Sequence, residues 1–189
     1  MVSEAGVNLI PPIKLLCITP QTIPDLAYPE GFAQTYGVAR DSITGTVREV
    51  VIQNEAFRQT TGATPEWGGY LAIDPTVRAI VGTCAFKGKP DADGSVEIAY
   101  FTFPAHGGKG YATAMAMSLI DLAWKSGAVE RITACTAPET NASTGILTKL
   151  GFDFLGPFED PRDGTIWRWE LPRGPGIHSC SSSHPVKRS

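Results

Sequence analysis

At 189 residues, 42% hydrophobic and 19% charged, the chain has the make-up of one globular domain with enough length to bury a sizeable core. A formal net charge of −3 forces no broad basic face, which argues against nucleic acid as a partner. No apolar run approaches the roughly 18 residues that would cross a bilayer.

The N-terminal "MVSEAGVNLIPPIKLL" carries an early acid and a proline pair in place of a basic segment leading into an apolar one, so no signal peptide is expected. "IKLLCIT" reads as a first strand, and "TIPDLAYPEGFAQTYG" as turns with one or two short helices. "TVREVVIQNEAFRQTTG" predicts a longer helix. Thr46 and Glu49 form a capping box, Val47, Val50, Val51 and Phe57 share a face, and Gly62 stops it. "WGGYLAID" and "RAIVGTCAF" then form a hairpin through Asp74-Pro75, and "VEIAYFTF" is a third strong strand.

From Tyr111 to Lys125 the period changes, and Ala112, Met115, Ala116, Leu119, Ile120 and Ala123 mark a helical stripe ended by Gly127. "ERITACTA" is a strand, and "NASTGILTKL" a short helix capped by Asn141 or Ser143 and closed by Gly151. "FDFLGPF" and "TIWRWEL" make a final hairpin, with Trp167, Trp169 and Leu171 on one face and an exposed edge that could pair in a homodimer. The tail from residue 173 to 189 is rich in Ser, Gly and Pro and is expected to be disordered.

The predicted fold is therefore α/β: one domain over residues 1–172, with a mixed sheet of six or seven strands flanked by helices. The strand–helix–strand unit around Gly107–Gly110 requires a right-handed crossover, which makes its flanking strands parallel. Cys17, Cys84, Cys135 and Cys180 are widely spaced and include no CxxC pair, so neither a disulfide framework nor a zinc site is expected. Cys84 and Cys135 read as buried small hydrophobes. His178 and His184 sit in the tail and suggest no metal. A reduced, cytoplasmic protein fits these features.

The stretch "FPAHGGKGYATAMAMSLIDLAW" joins a strand to a helix through three glycines and a lysine. Free N–H groups and the positive end of a helix dipole attract anions, and glycine lets the backbone approach them closely. A pyrophosphate cradle and a plain strand-to-helix turn both remain open on this stretch alone. Gly110 after Lys109 excludes the Walker A pattern, and Thr113 excludes the dinucleotide pattern.

Taken together, "GKGYATAMAMSLIDLAW" and "NASTGILTKLGF" resemble the GNAT superfamily of acyl-CoA-dependent N-acyltransferases. "GTCAFKG", "DGSVEIAY" and "EDPRDGTIWRWEL" extend the likeness from about Trp67 to Leu171. The similarity is closest to the branch of ribosomal-protein N-terminal acetyltransferases. The resemblance implies acetyl-CoA as co-substrate and an amine acceptor, either a small molecule or a peptide N-terminus. It also implies that residues 1–65 form the variable acceptor side.

The family's phosphate loop maps onto Gly107, Gly108, Lys109, Gly110, Tyr111 and Ala112. Gly107 stands where relatives carry Gln or Arg, so backbone N–H groups would do most of the binding, helped by Lys109. The preceding strand lends backbone from Phe101, Thr102 and Phe103 to the pantetheine arm. Asn141 would reach the same arm, cap its helix, or do both.

Acyl transfer needs a base for the amine, a donor for the oxyanion and, ideally, an acid for the thiolate. The resemblance points to Glu97 as base, which could equally be a salt-bridged structural acid, with Glu139 weaker. A backbone N–H near Thr102 would hold the oxyanion. Leu147 occupies the family's tyrosine position, so Ser143 is the first candidate for the acid, with Tyr100 behind it. A catalytically idle acyl-CoA-binding module is the alternative function.

Overall fold

A computed structural model describes residues 10–174. It contains strands β1 (Lys14–Cys17), β2 (Gly69–Asp74), β3 (Ala79–Phe86), β4 (Ser95–Thr102), β5 (Arg131–Thr136), β6 (Asp153–Asp160) and β7 (Gly164–Pro172). Its helices are α1 (Thr22–Leu26), α2 (Pro29–Tyr36), α3 (Gly45–Thr61), α4 (Tyr111–Ser126) and α5 (Ala142–Lys149). The sheet has the order β1-β2-β3-β4-β5-β7-β6, with β4 and β5 parallel and every other neighbouring pair antiparallel. The predicted mixed α/β sheet, both hairpins and the crossover are all present.

Two apolar layers sandwich the sheet. On one face Met115, Leu119 and Ala123 of α4 and Leu147 of α5 pack on Val96, Ile98, Ile132 and Trp169. On the other, Val47 and Val51 of α3 pack with Leu26, Phe32, Leu71, Ile73, Ile80 and Phe103. Of the predicted α4 stripe, Met115, Ala116, Leu119 and Ala123 are buried and Ala112 and Ile120 partly so, while Tyr111 and Ala114 complete the face that the 3.6-residue period lays on the sheet.

Local corrections follow from packing. Helix α3 begins earlier than predicted: Thr44, not Thr46, is its cap, accepting from the Val47 N–H at 3.3 Å. Phe57 is exposed, and Glu55 takes the inward position, satisfied by Arg58 and Gln59. Cys84 is buried as predicted, whereas Cys135 is only half-buried. The exposed edge belongs to β6, with Phe154, Leu155 and Phe158 facing out, while the tryptophans lie on the inner strand β7. The tail from 175 to 189, with Cys180, His178 and His184, lies outside the described residues.

Candidate active site

The site is built around strand β4. It pairs with β3 along Phe86↔Ile98 to Gly82↔Thr102, but with β5 only from Ser95↔Arg131 to Ile98↔Ala134. Beyond Ile98 the two parallel strands part, because β5 continues on β7 alone. Lys87 N–H donates to Glu97 O at 2.9 Å and Phe103 N–H to Val81 O at 3.0 Å. Alternate residues of an antiparallel strand turn their main-chain groups to the same side. Glu97, Ala99, Phe101 and Phe103 therefore spend theirs on β3, and Tyr100 and Thr102 present theirs to the opening cleft. Of the three residues expected to lend backbone, only Thr102 faces the cleft, with Tyr100 as its partner. This parity depends on which strand pairs with which, and the β4 sequence alone does not carry it.

The same alternation separates the side chains. Tyr100 packs among the α4 and α5 contacts, and Phe101 stands 53% exposed on the opposite face. The Tyr100 hydroxyl and Thr102 Oγ1 are both buried with no hydrogen-bond partner among the described residues. Buried hydroxyls are nearly always paired in folded proteins, so two orphans in a row beside unpaired strand backbone mark a place shaped for a polar ligand. The Tyr100 hydroxyl lies beside Ser143 without a well-formed hydrogen bond to it, and burial pushes the phenol up to about 12.

Past Thr102 the chain makes a single turn (Pro104–His106) and enters the glycine loop. Gly108 (φ 74°) and Gly110 (φ 84°) are left-handed, and Gly110 is the α4 N-cap. Among the described residues, no N–H from Gly108 through Thr113 has an acceptor, and the helix ladder starts with Ala114 N–H to Gly110 O at 3.1 Å. Lys109 is exposed. The Tyr111 side chain turns inward, donating its hydroxyl to Asp74 Oδ2 at 2.7 Å, so this residue offers the loop only its N–H. Asp74 also accepts from the Thr76 and Val77 N–H groups. Burial alone would raise its carboxyl. The Tyr111 and turn hydrogen bonds outweigh that and hold it below the usual carboxylate range.

Asn141 caps α5: its Oδ1 accepts from Ser143 N–H at 2.9 Å and Thr144 N–H at 3.2 Å, and Thr144 Oγ1 accepts the Asn141 N–H at 3.0 Å. Leu147 is fully buried in the core. Glu97 faces away from Tyr100 and Ser143. Its Oε1 is 2.5 Å from Lys87 Nζ and its side chain is 29% exposed, so it is a paired acid on a half-open face. Burial alone would lower the Lys87 ammonium, and the Glu97 carboxylate more than offsets this and holds it high. Cys135 sits on the same face, and burial followed by the Glu97 charge pushes its thiol up to about 11. Glu139 is exposed in the connection between β5 and α5. On the α3 face a cavity of about 610 Å³ lies between Asp41, Ser42, Thr44, Phe103 and His106.

A half-splayed parallel strand pair followed by a glycine loop at a helix N-terminus defines the class of protein. The chain belongs to the GNAT family: residues 18–153 match its model, described as "Acetyltransferase (GNAT) domain". It is 32% identical over 105 residues to the uncharacterized N-acetyltransferase YjdG of Bacillus subtilis, a match covering 56% of this chain and 58% of that one. The chain thus matches a little over half the length of that curated relative. Its fold is similar to that of RimL, a ribosomal L7/L12 alpha-N-protein acetyltransferase, with a TM-score of 0.59, 13% identity and 85% and 90% of the two chains covered. It is also similar to the ribosomal-protein-S5-alanine acetyltransferase of Vibrio fischeri, with a TM-score of 0.56, 16% identity and 85% and 91% covered. No described helix is long and apolar enough to cross a membrane.

Proposed function

We propose that the protein is an acetyl-CoA-dependent N-acetyltransferase that passes the acetyl group directly to a primary amine. The observation that carries this is the cleft between β4 and β5, edged by the unpaired backbone of Tyr100 and Thr102 and opening toward the free N–H run Gly108–Thr113. In this reading the N–H groups of Gly108 to Ala112 hold the pyrophosphate with Lys109 nearby. Tyr100 and Thr102 backbone pairs with the pantetheine amides, strand-like, and Asn141 steadies the α5 end. A main-chain N–H at the Tyr100 end of the cleft meets the developing oxyanion.

Glu97 lies on the other face of β4, where an amine would approach, and it takes the amine proton directly or through water. Holding the amine against the thioester supplies much of the acceleration. RimL and the Vibrio fischeri protein are named for protein N-terminal acceptors. A further similar fold, SpeG of Vibrio cholerae (15% identity, TM-score 0.57), is named for spermidine and spermine. The acceptor proposed here is accordingly a small amine or a peptide N-terminus, entering on the Glu97 face.

Thermal unfolding with acetyl-CoA, followed by thiol release against a panel of amines, tests the proposal. Acetyl-CoA at a hundred times its Kd should add about 2.7 kcal/mol of stability. No stabilisation would refute the binding site. Stabilisation without thiol release from any amine would make the protein an acyl-CoA-binding module.

A further inference from the structure

We propose that Tyr100 is the hydrogen-bond donor to the departing sulfur of coenzyme A, delivered from strand β4 and not from the Leu147 position of helix α5. The inference rests on the acetyltransferase reading above. Three features carry it. The Tyr100 hydroxyl is buried and has no partner among the described residues. Tyr100 stands two residues past the last β4–β5 pair, at the apex of the cleft, where an arm threaded from the glycine loop toward Ile98 would end. Its ring lies on the α4–α5 side, beside Ser143 at the start of α5, while Leu147 of that helix is sealed in the core and offers no donor.

The chemistry divides across the strand. The amine nitrogen forms the new C–N bond, the C–S bond breaks, and sulfur leaves with its electron pair. The amine proton departs on the Glu97 face. On the Tyr100 face the phenol donates a hydrogen bond to the forming thiolate. A phenol pushed up by burial stays protonated throughout the working range, whereas a thiol ionises more readily than a phenol held this high. Tyr100 therefore stabilises the thiolate while keeping its own proton, and solvent protonates the product thiol. Ser143 lies beside the phenol without a hydrogen bond to it, which leaves the hydroxyl free to turn to the sulfur.

The test compares binding of coenzyme A with binding of desulfo-coenzyme A, which lacks the sulfur, by calorimetry at pH near 7 and near 9. The protein should prefer coenzyme A, and the preference should grow to about tenfold as the thiol ionises, since a hydrogen bond to a charged group is worth about that factor. Tyr100→Phe should erase the preference and leave desulfo-coenzyme A affinity unchanged; Ser143→Ala should keep most of it. A preference that survives in Tyr100→Phe, or a wild-type protein that binds both compounds equally at both pH values, overturns the Tyr100 assignment and leaves the acetyltransferase reading standing. Failure to bind either compound overturns both. The wild-type pH comparison needs no variant to fold.

Discussion

The two left-handed glycines of the glycine loop should respond differently to the same substitution. A residue bearing Cβ in the left-handed region costs about 1–2 kcal/mol. At Gly108 (φ 74°) an added Cβ meets nothing within 4 Å, and the neighbouring N–H groups hold no internal hydrogen bonds. The cheapest relief for Gly108→Ala is to rotate the loop, which scatters the N–H groups. At Gly110 (φ 84°) rotation is blocked: its carbonyl accepts the first α4 hydrogen bond, Tyr111 is tied to Asp74, and an added Cβ comes within 3.2 Å of Pro11 Cδ. Gly110→Ala must therefore keep its conformation and carry the strain in the fold. The expected outcome is that Gly108→Ala binds coenzyme A about tenfold more weakly with nearly unchanged Tm. Gly110→Ala should lower Tm by about 3–6 °C, at roughly 2–4 °C per kcal/mol for a chain of this size. Calorimetric titration and a thermal scan on both variants decide it. Wild-type affinity in Gly108→Ala would refute the idea that a left-handed Gly108 aims these N–H groups at a ligand.

Removing the Glu97 carboxylate tests the base directly: Glu97→Gln should lower kcat by about 10²-fold or more and leave coenzyme A affinity nearly unchanged. Steady-state kinetics and calorimetric titration decide it, and wild-type kcat in the variant would deny Glu97 the role. Asp74→Asn should cost about 2 kcal/mol at neutral pH, measured by urea unfolding, because it weakens a buried charge-assisted bond to Tyr111. The Asp74 pKa is lowered on folding, so its contribution is present above the ordinary carboxylate pKa and fades as pH falls below about 4. The variant's loss of stability between pH 5 and pH 3, as order-of-magnitude marks for that window, should be the shallower one. Asn141→Ala strips the α5 cap and should cost about 1 kcal/mol, read by thermal unfolding.

Much of this fold is legible in the sequence because period and punctuation agree. The α4 stripe, the Asp74-Pro75 hairpin and the final hairpin each combine a clear repeat with a turn signal. Legibility fails where a neighbour decides. Thr44 displaces Thr46 as cap because the α3 start is fixed by how Val47 and Val51 meet the sheet, and Phe57 loses its predicted inward place to Glu55, whose charge is met by Arg58. Glu97 reads as a lone acid in an apolar strand until Lys87 is brought across from the end of β3. In the glycine loop, the sequence fits cradle and turn alike. The proposed cradle is supported by the run of N–H groups from Gly108 to Thr113, which finds no acceptor among the described residues.

In the proposed mechanism, strand β4 takes over the work of the family residues missing at Gly107 and Leu147. Its odd-numbered residues turn backbone to β3 and carry Glu97 and Phe101 on one face. Its even-numbered residues turn backbone to the cleft and carry Tyr100 and Thr102 on the other. In the proposed mechanism, one period-2 element separates the side on which an amine would lose a proton from the side on which sulfur would gain electrons, with a main-chain donor between them. A one-residue slip of β4 against β3 would exchange the two faces and bring Glu97 to the sulfur side. The site therefore depends more on the β3–β4 register than on any single side chain at Gly107 or Leu147. The register is in turn held by Ile98 and Phe86 in the core, so the apolar packing beneath the cleft also fixes which chemistry faces which substrate.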